Sequence, residues 1–412
     1  MNLVINEKWL GIVYFSLLII FLGCVYPAMY CLVWFGQANP QLAVLVFCLW
    51  LALHSYVNKS LKLKLPDRFF LCIFFVAFAY HLIRLTVFNE RGIYPVVADQ
   101  VLILLALIMC VNSLPQKKLM NYLVNWHILM MCCMLVGVVL LILGILPLIN
   151  YYILVEDSGL TLFNFGLFFV KARMEYITSL SAMRPTGWFD EPGSFANVIL
   201  FILIYNRMYT KSKKIEMLFL LGGLVTLSMA HVIISIVWYC FFYLKRNLVS
   251  ILTVSFVGLL LVAGYFWQPD NEFAQLFQNA TFKRVENVAN NEDASRNYDG
   301  AYNAFKTHFL TGATLQTLEK EFPNATSETL WYNLAQNGLV GSFIFFLPIW
   351  YVGYDMIRKR KLTSMQAKFL FLVFLNFGQR PDYYYSLYFI FIYYLWYNHV
   401  ENKTSQSRVI SE

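Results

Sequence analysis

The chain reads as an all-α, polytopic membrane protein of about twelve transmembrane helices with two large loops on one face, and three observations predict it. Of its 412 residues, 59% are hydrophobic and only 13% charged, against about 45–50% and about 25% in average soluble domains. The mean hydropathy is +0.59, more apolar surface than a soluble protein can hide, since its aqueous face needs polar cover. Aromatic residues reach 18%, as expected where amphipathic rings favour a membrane–water boundary. A soluble enzyme and a disordered chain are both excluded.

A span needs roughly 20 apolar residues, fewer where a helix is short. Such runs fall at about 9–35, 41–57, 69–88, 97–114, 122–149, 194–210, 217–229, 231–244, 248–267, 335–356, 367–379 and 383–400, one integral membrane domain over 1–412. The tightest pairs turn at Ser228-Met229-Ala230-His231 and at Gly378-Gln379-Arg380-Pro381-Asp382; glycine, proline and small polar residues supply such breaks. The first run begins near Trp9 and is followed by no small-residue cleavage site, so no cleaved signal peptide is expected.

The net charge of +8 is an orientation signal, and no nucleic-acid partner is expected. Its positives cluster at Lys59, Lys62, Lys64 and Arg68; at Lys117 and Lys118; at Lys211, Lys213 and Lys214; at Lys245 and Arg246; and at Arg358 through Lys361. With twelve spans these clusters share one side, which is then cytoplasmic and holds both termini. All eight cysteines (Cys24, Cys31, Cys48, Cys72, Cys110, Cys132, Cys133, Cys240) lie inside apolar runs. They read as small buried hydrophobes, not a disulfide framework or a zinc cluster.

Two long segments then face outward, 150–193 and 268–333. Loops of that length are functional or disordered. Apolar residues at helical spacing (Leu162, Phe163, Phe165, Phe168, Phe169; Phe273, Leu276, Phe277) argue for order. The sharpest cluster is Arg184-Pro-Thr-Gly187-Trp-Phe-Asp190-Glu191-Pro192-Gly193-Ser-Phe-Ala196. Pro192 and Gly193 break the chain where a helix begins, leaving Asp190 and Glu191 beside its positive end. A capping turn with an incidental arginine explains the same residues, but charge at a membrane boundary is costly unless used.

The second loop holds Lys283, Arg284 and Arg296 with Glu286, Glu292 and Asp293 between them. Spaced arginines match diphosphate oxygens through their forked donors; a solvated loop with nearly cancelling charges is the plainer reading. His308 is the only histidine in a long outer loop, Glu328 stands at the start of the following helix, and His231 sits at an outer turn it could cap. Arg84 lies deep enough in its span to need a partner, with Arg91 following in the next loop, and both are functional candidates by default. Arg380 and Asp382 pair with each other or with substrate, and Tyr383, Tyr384 and Tyr385 read as an interface belt. There is no phosphate-binding Gly-x-x-x-x-Gly-Lys loop, no Gly-x-Ser-x-Gly elbow, no His-Glu-x-x-His pair and no outer Asp-x-Asp. No metal and no cofactor are expected.

The string Arg184…Gly187…Phe189…Glu191-Pro-Gly…Ala196 resembles the Arg-x-x-Gly-x-Phe-x-Glu-Pro pattern of O-antigen polymerases of the Wzy type, within the O-antigen polymerase/ligase superfamily of membrane glycosyltransferases. A basic residue at Arg284, then Ser295-Arg296, a short amphipathic helix and Thr311-Gly312 resemble that family too. So does the helix ending in Asn337-Gly338-Leu-Val-Gly341. Only these motifs are specific; the hydrophobic remainder is shared with any transporter.

The resemblance implies an inner-membrane protein working at its periplasmic face. It would transfer a growing lipopolysaccharide glycan from undecaprenyl diphosphate to a sugar hydroxyl of a lipid-linked repeat unit. Donor and acceptor would both be undecaprenyl-diphosphate-linked oligosaccharides, membrane lipid would surround the chain, and a chain-length regulator would be a further partner. Arg184, Arg284 and Arg296 would neutralise the diphosphate, with Arg380 and Arg84 as further binding candidates. Glu191, then Glu328, then His308 are the candidate bases. Where the ligase branch has His-Asn or His-Ser, this chain has Ser327-Glu328, which favours polymerase over ligase. A flippase or exporter of the repeat unit fits the composition, although such transporters place charge at the midplane of a repeat interface and no internal repeat is visible. A membrane acetyltransferase would need a histidine–acid pair within its spans, which His81 and Arg84 do not supply.

Overall fold

The computed structural model describes residues 7–25, 39–86, 90, 94–142, 151–155, 160–164, 169–173, 184–189, 192–226, 228–244, 298–323, 325, 330–358, 364–379 and 387–394. The described residues are mostly helical. Four of the described helical stretches are long and apolar enough to cross a membrane: Pro40–Asn58, Val96–Ser113, Gln116–Leu140 and Leu330–Tyr354. Shorter apolar helices accompany them at Phe70–Thr86, Ala230–Phe242 and Ser364–Gly378. The expected span at 248–267 lies outside the described residues.

Helices α1 (Glu7–Gly23), α2 (Pro40–Asn58), α3 (Arg68–Thr86), α4 (Tyr94–Ser113) and α5 (Gln116–Ile142) follow the first five apolar runs. Helix α1 ends at Gly23, and residues 26–35 of the expected run lie outside the described residues. Helix α2 shows why its start is sharp: Asn39 accepts the Leu42 amide at 2.9 Å, and Pro40 fills the first turn, where no amide partner is needed. Trp50, wholly buried, donates its indole N–H to Ser113 Oγ at 2.8 Å, a polar handle that ties α2 to α4.

Side-chain bonds gather one end of the bundle. The Lys64 amide and carbonyl both bond the Asn112 side chain, at 2.7 and 2.8 Å. The Asp67 amide donates to Tyr393 Oη at 3.3 Å, and Tyr205 Oη to Asn121 Oδ1 at 3.3 Å. The basic loop before α3 thus contacts the end of α4 and the helical segment at 387–394, and the end of α6 contacts the start of α5.

The first long loop corrects the all-α expectation. Where helical spacing was expected, the chain forms a four-stranded antiparallel meander: β1 (Tyr151–Val155), β2 (Leu160–Asn164), β3 (Phe169–Arg173) and β4 (Arg184–Gly187), in that order. Tyr151 pairs with Asn164, Leu160 with Arg173 and Lys171 with Arg184. Each strand is too short for a helix, the runs are aromatic and β-branched, and Glu156-Asp157-Ser158-Gly159 between β1 and β2 is turn chemistry. Pro185 sits in β4, at the sheet's edge, the place where a strand tolerates proline.

From β4 the chain enters α6 (Pro192–Tyr205), in which every residue but Gly193 is buried. A helix apolar all round is a core helix, and α6 is the one the others surround. It runs into a π-helical turn at Asn206–Thr210, closed by Lys211 at φ 55°. Helices α7 (Lys213–Leu224) and α8 (Met229–Phe242) follow. His231, expected at a turn, lies in the first turn of α8, fully buried, with Nε2 3.0 Å from the Leu220 carbonyl. The chain ends in α9 (Tyr298–Thr307), α10 (Leu315–Glu321), α11 (Leu330–Phe345), α12 (Leu347–Arg358), α13 (Ser364–Gln379) and a helical segment at 387–394. Helix α9 is the short amphipathic helix expected before Thr311-Gly312. The expected span 335–356 corresponds to the apolar helical stretch Leu330–Tyr354, which is kinked at Gly338 and divided at Phe346 into α11 and α12.

Candidate functional site

The break at Gly338 organises one end of the described helices. Gly338 adopts φ 62°, ψ −174°, a region essentially reserved for glycine. The break releases backbone groups that a continuous helix would pair within itself. The Leu339 amide donates to the Phe309 carbonyl at 2.8 Å and the Val340 amide to the Leu310 carbonyl at 3.2 Å. The Ala335 carbonyl, left without Leu339, accepts the Ala313 amide at 2.8 Å. The turn that follows α9 therefore docks backbone to backbone into the break. Gly312, at φ 74°, makes the approach from the other side. A Cβ on Gly338 would overlap the Gly312 amide and the Leu310 carbonyl; one on Gly312 would overlap the Gln336 carbonyl and the Gly338 amide. Two sequence patterns read separately, Thr311-Gly312 and Asn337-Gly338, are one junction.

The last released group is the Gln336 carbonyl, which the Val340 amide no longer occupies. Arg84, at the end of α3, fills it: Nη2 donates to that oxygen at 3.1 Å, and Nη1 to Asn337 Oδ1 at 2.6 Å. The guanidinium also grips Glu90 through Nε to Oε2 and Nη2 to Oε1, both 2.7 Å. Arg84 is 7% exposed and Glu90 6%, so the pair is desolvated, and only its neutralised, fully bonded geometry makes that tolerable. Asn337 is held in turn by its own N–H to the Asn333 carbonyl at 3.0 Å, and the Tyr80 ring lies 5.7 Å from the guanidinium carbon. A Cβ on Gly341 would strike the Tyr80 hydroxyl, so this glycine lets α3 and α11 close.

Around the junction several buried polar atoms have no hydrogen-bond partner among the described residues: His308 Nε2, Asn333 Oδ1 and Ser342 Oγ. His308 opens the docked turn, its amide bonded to Ala304 and its carbonyl to Gly312, with its ring 6.4 Å from that of Phe322. Its backbone is fixed at both ends while its imidazole nitrogen stays uncommitted.

A second corner is built where β4 meets α6. Gly187 turns at φ 64°, the Phe189 amide bonds the Thr186 carbonyl at 3.2 Å, and Trp188 and Phe189 are each 1% exposed. Phe189 stacks on Phe195 at 5.4 Å and on His127 at 6.2 Å. These aromatics anchor the motif that ends at Pro192, the start of α6. His127, a residue without a motif in the sequence, gives Nδ1 to the Leu123 carbonyl at 2.7 Å, and its Nε2 is partnerless among the described residues.

The predicted site residues divide accordingly. Arg84 is braced by Glu90, Asn337 and Gln336, and His308 joins the same junction. Arg184 contributes its backbone to β4. Glu191, Glu328, Arg284, Arg296 and Arg380 lie outside the described residues. Glu90 and Asn337 were missed as partners of Arg84; the signal available was the burial of an arginine with a carboxylate six residues on. Among the described residues no cluster of three histidine, cysteine or acidic groups is placed to hold a metal, and their seven cysteines are free thiols. No protein-family model, curated protein or solved structure matches the chain.

Proposed function

We propose that the chain is an O-antigen polymerase of the Wzy type, a polyprenyl-diphosphate-dependent glycosyltransferase of the bacterial inner membrane. In this reading about twelve helices span the bilayer, both termini are cytoplasmic, and the two long loops face the periplasm. The observation that carries it is the junction of the His308–Ala313 turn with Asn337-Gly338. Two of the family-like motifs, Thr311-Gly312 and Asn337-Gly338, meet there, beside an imidazole whose Nε2 has no partner among the described residues.

The reaction needs three things from the protein. An acceptor hydroxyl attacks the anomeric carbon of the donor sugar, the bond to the diphosphate oxygen breaks, and the acceptor's proton passes to a base within hydrogen-bond reach. Glu191, Glu328 and His308 are the candidate bases. Arg184, Arg284, Arg296 and Arg380 supply the charge that stabilises the departing diphosphate. Arg84 is spent on Glu90 and the broken helix, so its part is to hold the junction in shape.

The test is polymerisation in vitro by purified protein given a synthetic undecaprenyl-diphosphate-linked repeat unit. A ladder of products that survives chelation is expected. Folded protein that yields no ladder overturns the reading, and Glu191→Gln protein that polymerises normally removes Glu191 as the base. In cells, loss of the gene leaves single capped repeats at the surface if the chain is a polymerase; loss of all repeats would instead mark a flippase.

A further inference from the structure

Helix α9 and the turn that docks into α11 expose an aromatic flank. The helix has three faces. Ala301 and Ala304, both wholly buried, lie on the face by which α9 packs on α11. Asp299, Asn303 and Lys306, all exposed, follow one another at the spacing of a second, polar face. Tyr302, Phe305 and Phe309 form the flank between those two. Their rings meet in series: Phe305 is 5.2 Å from Phe309, and Trp331 of α11 is 5.0 Å from Tyr302 and 5.9 Å from Phe305. Yet Tyr302 is 44% exposed, Phe309 47% and Leu310 59%, a contiguous apolar patch of the kind that marks an interaction surface.

The neighbouring segment identifies what covers it. The Phe309 and Leu310 carbonyls bond the Leu339 and Val340 amides, and Leu339, Val340 and Phe343 are exposed in their turn. Those three belong to the apolar stretch Leu330–Tyr354, long enough to cross a bilayer, so their exposed side chains meet lipid. The patch on the turn thus runs on from a lipid-facing surface. Depth agrees with this. Arg358 closes α12 with its guanidinium carbon 5.9 Å from the Tyr354 ring, a pair suited to one membrane boundary. From there back to Gly338 the chain rises at most about 30 Å, at about 1.5 Å per helical residue, and the hydrocarbon core is about 30 Å thick. Gly338 and the turn docked into it then lie at the other boundary.

We infer that α9 and the turn after it are an interfacial anchor, lying in the plane of one leaflet with Tyr302, Phe309 and Leu310 among the lipids and Asp299, Asn303 and Lys306 in water. A helix with one apolar flank and one charged face takes that position, and tyrosine and tryptophan rings favour that depth. The occupant is lipid and not a second copy of the chain, because the flank continues the surface of a spanning helix without a polar break between them. Part of the segment 268–333, expected as a loop outside the membrane, is then held in the leaflet. His308, between Thr307 and Phe309, is held with it at headgroup depth. This holds whatever reaction the chain performs.

The experiment is photolabelling of the full wild-type chain, one copy per lipid nanodisc, by phosphatidylcholine that carries a diazirine in the upper part of one acyl chain. Adducts are mapped by mass spectrometry to three stretches: 302–310, the lipid-facing 339–343, and 316–321, whose exposed Gln316, Glu319, Lys320 and Glu321 make it the aqueous control. Labelling of 302–310 should exceed that of 316–321 at least tenfold. A smaller excess, with 339–343 labelled, overturns the proposal without recourse to any variant, and a single copy per disc leaves no second chain to shield the flank. Phe309→Asp combined with Leu310→Asp changes side chains and keeps the backbone bonds to Leu339 and Val340. It should lower labelling of 302–310 at least fivefold and leave 339–343 as in the wild type. Undiminished labelling of 302–310 in that variant also overturns the anchor.

Discussion

Replacing Gly338 with alanine should undo the junction between the His308–Ala313 turn and α11, and the cost can be assembled from its geometry. A residue with a side chain held at φ 62°, ψ −174° carries about 1–3 kcal/mol of backbone strain. The new methyl also overlaps the Gly312 amide and the Leu310 carbonyl, backbone atoms that cannot rotate aside. Parting the segments gives up three bonds, Leu339 to Phe309, Val340 to Leu310 and Ala313 to Ala335, each worth about 1 kcal/mol net. The total is about 4–6 kcal/mol if α11 keeps its break. The alternative is for α11 to close into a continuous helix, which expels the turn and returns the Gln336 carbonyl to Val340 at the expense of Arg84. Either way the His308–Ala313 turn is released. Thermal unfolding in detergent, followed by limited proteolysis across that turn, reads both effects. Gly378→Ala is the control: this helical glycine has nothing among the described residues within 4 Å of an added Cβ, so alanine should be neutral or stabilise by up to about 1 kcal/mol. Gly338→Ala protein that melts with the wild type and resists the protease equally refutes the account of the break.

Three further outcomes follow from the same contacts. Arg84→Gln should cost about 3–5 kcal/mol by leaving Glu90 buried without its cation, and Arg84→Gln combined with Glu90→Gln should recover part of that loss; strictly additive melting shifts in a double-mutant cycle would count against the pair. Glu216→Gln should destabilise by about 1.5–3 kcal/mol, because Arg207 and Trp238, both bonded to its carboxylate, lose a charged acceptor, and the accompanying change in tryptophan emission checks that Trp238 is the reporter. His308→Ala should lower polymerisation about 10²–10⁴-fold if its imidazole takes the acceptor proton, with unfolding unchanged; a normal rate in folded variant protein assigns the base elsewhere.

How much of this was legible in the sequence depends on the range over which each feature is decided. The helices were legible because burial in a bilayer is decided residue by residue, and the helix between Ser295-Arg296 and Thr311-Gly312 was legible because its amphipathic period is local. The meander of the first loop was not, because short aromatic runs such as Leu160–Asn164 fit a helical face and a strand alike. Pairing with Phe169–Arg173 decides between them, and no pattern within either run contains that pairing. The Asp157-Ser158-Gly159 turn chemistry was the available signal.

Arg84 marks the boundary most sharply. Its depth in an apolar run says that it must be paired, and that inference needs nothing beyond α3. Its partners follow from a different fact, that Gly338 breaks α11 and strands the Gln336 carbonyl. That carbonyl is an acceptor only because the Val340 amide has gone to Leu310, and that amide has gone only because Gly312 lets the turn approach. The guanidinium thus reads a hydrogen-bond exchange between two segments distant in sequence, neither of which carries a formal charge to announce it. Glycines at 312, 338 and 341 were visible as motif residues and silent about why. The structure supplies the reason: two admit backbones to each other and the third admits Tyr80, so that the site's order is set by where side chains are missing and its one described arginine is committed to keeping it so.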